Sequence, residues 1–95
     1  TLSGFTAAAI SRFKPGCPVI SCTVREKVCR QMNLLWGVYP LMIETKETTD
    51  ELFEAAVSEA RKAGYVKPGD VVVITAVIPL GRVGSTNMIH VIEVK

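Results

Sequence analysis

The sequence has little of what marks a membrane, secreted or metal-held protein. It contains three cysteines, one histidine and one tryptophan, and aromatics make up 6% of it. Cys17, Cys22 and Cys29 are odd in number, and their C-x4-C-x6-C spacing matches no zinc pattern, so no metal site is expected. No opening stretch reads as a secretory signal. The thiols read as reduced packing residues of a cytoplasmic protein. A catalytic thiol needs a base nearby, and nothing in the sequence brings the lone His90 to a cysteine. The uncharged run Val71 to Gly81 has 11 residues and ends with Pro79 and Gly81 in it. A membrane span needs about 20 apolar residues, so no membrane partner is expected. The net charge of +2 is too small to argue for nucleic acid.

What is present suits one small globular domain over residues 1–95. Hydrophobic residues are 48% and charged residues 21%, which excludes disorder. A 10.3 kDa chain can bury about 64% of its unfolded surface, enough for one sheet-and-helix core. Charge is unevenly spread: residues 1–40 carry five bases against one acid, residues 41–60 one against six, and residues 61–95 five against two. The acidic block falls on one expected helix and reads most simply as a solvated face. The chain begins with Thr rather than Met and reads as a piece of a longer protein or a trimmed product.

Periodicity and punctuation give the element order. Thr6 to Phe13 reads as a short helix, stopped by Lys14-Pro15-Gly16 with the glycine as its exit. Pro18 to Thr23 is a short β-rich run. Thr23 and Glu26 form a capping box for a helix to about Leu35, with Val28, Met32 and Leu35 as its apolar stripe and Gly37 as its end. Val38 to Ile43 is the next strand, and Pro40 suggests an edge position. Thr48 and Glu51 form a second capping box for the longest helix, to Ala63, with Leu52, Phe53, Ala56, Val57 and Ala60 on one face and Gly64 closing it. After a turn at Lys67 to Asp70, Val71 to Val77 reads as a strand buried on both faces. Pro79 to Asn87 is a Gly-rich loop and Met88 to Lys95 a last strand. Strands alternating with helices predict a small doubly wound, three-layer α/β sheet, mostly parallel. No helix precedes the last strand, so it turns back to run antiparallel at an edge. Apolar groups on both its faces, with Ile89 and Val91 on one and His90, Ile92 and Val94 on the other, predict that a partner subunit covers one; Ile92 is the position expected to feel it.

Two loops carry the chemistry open to this chain. In the first, Ser3, Gly4 and Thr6 directly precede or open a helix, where amides and a partial positive charge favour a phosphate; the plainer alternative is an ordinary helix cap. It is not a Walker loop, having no G-K-[ST]. In the second, Gly81 and Gly84 can form a nest of amides with Arg82 as a charge partner; the plainer alternative is a crossover with one exposed arginine. Both loops are expected beyond the carboxyl ends of parallel strands, where ligands of open α/β sheets bind.

These residues carry a resemblance. TLSGFTAAAISRFKPGCPVI, then T-x-x-E, QMNLLWGVYPL, GDVVVITA and GSTNMIHV, in this order over nearly the whole chain, closely resemble the C-terminal domain of pyruvate kinase. The resemblance implies a non-catalytic domain that binds effectors and contributes to tetramer contacts. The reaction itself, phosphoryl transfer between phosphoenolpyruvate and ADP giving pyruvate and ATP, would lie in an absent catalytic domain, as would the family's Mg and K ions; no cofactor is expected in this domain. Thr1, Ser3, Gly4, Phe5 and Thr6 match the family's effector phosphate loop, and Gly81, Arg82, Gly84, Ser85 and Thr86 its closing loop. Where some members carry an arginine for a second phosphate, this chain has Leu52, which favours AMP or ribose 5-phosphate over fructose 1,6-bisphosphate. The strand that in the family precedes the phosphate loop and lies mid-sheet falls outside this sequence. The alternative function is a purely structural subunit-interface domain without effector binding.

Overall fold

The structure is a computed structural model that describes residues 3–76 and 88–95. It comprises α1 (Phe5–Arg12), β1 (Val19–Thr23), α2 (Glu26–Met32), β2 (Val38–Met42), α3 (Thr49–Lys62), β3 (Val71–Ala76) and β4 (Met88–Glu93). The chain divides into two compact units, Thr1–Glu44 and Thr45–Lys95.

The first unit is built on a parallel pair. β1 and β2 run side by side with Val19 opposite Val38 and Ser21 opposite Pro40. Pro40 has no amide to donate, which suits a strand with an open edge. A parallel pair needs a crossover, and α2 supplies it. Val28 and Met32 of α2 pack with Ala7 of α1 and Val38 of β2 into the core, with Val19 and Leu35 against them. This is the predicted Val28, Met32, Leu35 stripe. Met32 is 1% exposed, and its Sδ accepts a hydrogen bond from Ser21 Oγ at 2.9 Å. Ser11 Oγ of α1 donates to the Trp36 carbonyl at 2.7 Å and ties α1 to the segment after α2.

Three local expectations are corrected here. The left-handed residue after α1 is Lys14, at φ 45°, and Gly16 is not among the positive-φ glycines. Thr23 does not cap α2: its Oγ1 accepts from the Arg25 amide at 3.2 Å, and the N-cap is Arg25 without a side-chain cap bond. Cys17 is exposed rather than packed; Cys22 on β1 and Cys29 on α2 are half-buried, and none of the three is in a disulfide.

The second unit pairs one helix with an antiparallel ribbon. Thr48 caps α3 as predicted, its Oγ1 accepting from the Glu51 amide at 3.2 Å, and Gly64 follows at φ 82°. Ala60 is buried, and Leu52, Phe53, Ala56 and Val57 are half-buried. β3 and β4 pair antiparallel, with Val71 opposite Glu93, Val73 opposite Val91 and Thr75 opposite Ile89. The Phe53 ring stacks on His90, centroids 5.7 Å apart, which sets α3 against β4.

β3 is not buried on both faces. Its burial alternates, Val72, Ile74 and Ala76 being half-buried while Val71 and Val73 are 67% and 63% exposed. On β4, Ile89 and Val91 share that outer face at 72% and 62% exposed, and Ile92 lies on the half-buried face. The four outer side chains make a continuous apolar patch, because opposite residues of an antiparallel pair point the same way. Among the described residues, no helix is long and apolar enough to cross a membrane.

Candidate phosphate-loop site

The start of α1 is shaped by Gly4. This glycine occupies the N-cap in the left-handed region, at φ 80° and ψ 4°, and its carbonyl accepts from the Ala8 amide at 3.0 Å to open the helix. It is buried, and a Cβ added to it would stand 3.3 Å from Met32 Cγ and 3.6 Å from Val28 Cγ1. The sequence therefore needs glycine here twice over, for the backbone angle and for the approach to α2. The Val28–Met32 stripe was legible in the sequence. That it forms the floor under Gly4 was not, because spacing along one helix does not say which loop lies on it.

Around this glycine the loop presents polar groups. Ser3 is exposed, and its Oγ accepts from the Phe5 amide at 3.3 Å. Phe5 is exposed and Thr6 half-buried. The N-cap makes no side-chain cap bond, the first turn of α1 holds no acidic residue, and its last turn holds Arg12. A helix start directs amides and a partial positive charge outward, and the first turn of α1 brings no acid of its own into that field. Ser3, Gly4, Phe5 and Thr6 are thus brought together on one helix entry. Thr1, Gly81, Arg82, Gly84, Ser85 and Thr86 lie outside the described residues. Among the described residues no group of three or more His, Cys, Asp or Glu side chains could hold a metal ion. The three cysteines belong to the first unit, and His90 is engaged with Phe53 in the second.

Comparison with known proteins gives this geometry its family. The family model described as "Pyruvate kinase, alpha/beta domain" matches residues 1–92. A pyruvate kinase of Sporosarcina psychrophila is 47% identical over 94 residues, covering 97% of this chain and 16% of the relative. One of Geobacillus stearothermophilus is 45% identical over 95 residues, covering 98% of this chain and 16% of the relative. A third, of Clostridium acetobutylicum, is 43% identical over 91 residues, covering 96% of this chain and 19% of the relative. The chain thus spans less than a fifth of the length of these relatives. A match over residues 1–92, which runs through α1 and both strand pairs, places the chain in the pyruvate kinase α/β-domain family.

Proposed function

We propose that this chain is the regulatory and oligomerising part of a cytoplasmic glycolytic kinase, a pyruvate kinase, and binds a phosphorylated effector at the Ser3–Thr6 turn. The observation that carries the reading is the entry to α1: a left-handed, buried Gly4 at the N-cap, the Ser3 hydroxyl on the Phe5 amide and no acid in the first turn. An anion gains there from amides and from the helix field, while Ser3 and Thr6 add hydroxyls. The family resemblance assigns Arg82, with Gly81, Gly84, Ser85 and Thr86, to a closing loop and implies that its charge serves the effector; these residues lie outside the described structure. The parent reaction, between phosphoenolpyruvate and ADP, belongs to chain beyond these residues; no catalytic role is assigned to any residue here.

AMP or ribose 5-phosphate is favoured over fructose 1,6-bisphosphate because, where the family resemblance places an arginine for a second phosphate in some members, this chain has Leu52. Self-association, in the parent a tetramer, is supported by the exposed patch of Val71, Val73, Ile89 and Val91. That patch also favours the second reading, an interface domain without effector. A thermal-shift screen of the intact protein against phosphorylated metabolites separates them. Effector binding raises the melting temperature with a sugar or nucleoside monophosphate; a pure interface domain melts alike with all of them.

A further inference from the structure

The entry to α1 rests on a side chain of α2 that is itself held from β1. A Cβ on Gly4 would stand 3.3 Å from Met32 Cγ, 3.6 Å from Met32 Sδ and 3.6 Å from Val28 Cγ1. Met32 is 1% exposed and Ser21 is 7% exposed. The Ser21 hydroxyl donates to Met32 Sδ at 2.9 Å, and a buried hydroxyl keeps such a partner because losing it is costly. That bond fixes a side chain whose three torsions otherwise adapt to whatever surrounds them. Support therefore runs from the middle of β1 through α2 to the turn that opens α1. The shape beneath Gly4 is specific: the atom nearest to a Cβ there is Cγ, which in methionine carries only hydrogens. Leucine has a similar volume but carries two methyl groups on that atom.

We propose that Met32 is a positioning residue for the effector phosphate: its unbranched side chain, clamped by Ser21, sets the height at which Gly4 enters α1 and so the placement of the amides and hydroxyls of Ser3–Thr6. The inference rests on the effector half of the function proposed above and names the residue that tunes that site from beneath. Donors that converge on an anion must be held to within about 0.5 Å of their working positions. A branch under Gly4 moves the turn on that scale, because a close-packed core has no void to take it. Val38 supplies the contrast. It belongs to the same core cluster as Met32 but provides none of the three atoms nearest to a Cβ on Gly4. Truncating Val38 loosens the core without changing the seat of the loop.

Variants of the intact protein test this by separating affinity from stability. Each is titrated with AMP and ribose 5-phosphate, and each is unfolded by denaturant. Met32→Leu should weaken binding of the monophosphate about five- to twentyfold. Adding Ser21→Ala removes the stranded hydroxyl and restores most of the stability, yet the affinity should stay low, because the branch still lies under Gly4. Val38→Ala loses stability in the same core but should keep its affinity to within about twofold. A Met32 that only filled the core would give affinities that follow stability across the set. If they do, or if the Met32→Leu, Ser21→Ala protein binds as tightly as the unsubstituted one, Met32 does not position the site while effector binding stands. If the unsubstituted protein binds neither compound, the effector reading falls and this inference falls with it.

Discussion

Gly4 leaves little room for a side chain above Met32: a single carbon added to Gly4 would stand 3.3 Å from Met32 Cγ. The same Met32 accepts a hydrogen bond from Ser21 in the middle of β1. The candidate anion loop is therefore seated on the core of the first unit rather than hung from a flexible end. Gly4→Ala would force a Cβ into the left-handed region and against α2. It should cost about 1–3 kcal/mol. Chemical denaturation reads this directly; an unchanged midpoint would mean that the loop does not rest on Met32.

The Met32–Ser21 contact has its own signature. Met32→Leu keeps the volume but removes the sulfur acceptor, so it should cost more than an ordinary volume-conserving swap, by about 1–3 kcal/mol for the stranded hydroxyl. Adding Ser21→Ala should recover most of that loss. A double-mutant cycle with no coupling would show that the hydroxyl finds another partner.

The outer face of the β3–β4 ribbon gives a third expectation. Ile89 is exposed, whereas Ile92 lies on the half-buried face beside the groove of α3. Ile89→Lys should therefore leave the melting temperature nearly unchanged while shifting the full chain toward smaller species in sedimentation. Ile92→Lys should lower the melting temperature as well, because it charges a partly packed position. If Ile89→Lys leaves the assembly intact, the ribbon face is not an interface.

Arg82 is the closing-loop charge of the effector proposal. A charge-assisted hydrogen bond from it is worth roughly 1.5–3 kcal/mol. Arg82→Ala should accordingly weaken effector binding about 10- to 150-fold. Equilibrium titration of the intact protein checks this, and undiminished affinity would remove Arg82 from the site.

Much of the fold was legible because it rests on local signals. Thr48 followed by Glu51, Gly64 after the long helix, and the Val28–Met32 stripe each specify structure within a few residues. The failures are contextual. T-x-x-E at Thr23 has the letters of a cap, but the Thr23 hydroxyl is taken by the Arg25 amide. Val71 to Val77 reads as doubly buried because β-branched residues fill it, yet in β3 the outer valines stand exposed. A run of apolar residues says that a face prefers cover, not what covers it. At the candidate site, Ser3, Gly4 and Thr6 could be picked out by type, since hydroxyls and a glycine at a helix entry have a known use. The burial of Gly4 on α2 could not, since it depends on a contact across 28 positions of sequence.

The most direct test of effector binding compares the wild-type protein with Ser3→Asp by calorimetric titration with AMP, ribose 5-phosphate and fructose 1,6-bisphosphate. An aspartate at position 3 can accept from the Phe5 amide as the serine does, and its charge suits the start of α1, so the fold should be at least as stable. The same charge would repel a phosphate. The account predicts that the wild type binds one of the monophosphates and that Ser3→Asp, with an equal or higher melting temperature, binds it at least about tenfold more weakly. Absence of binding by all three ligands, or equal binding by both proteins, would contradict it.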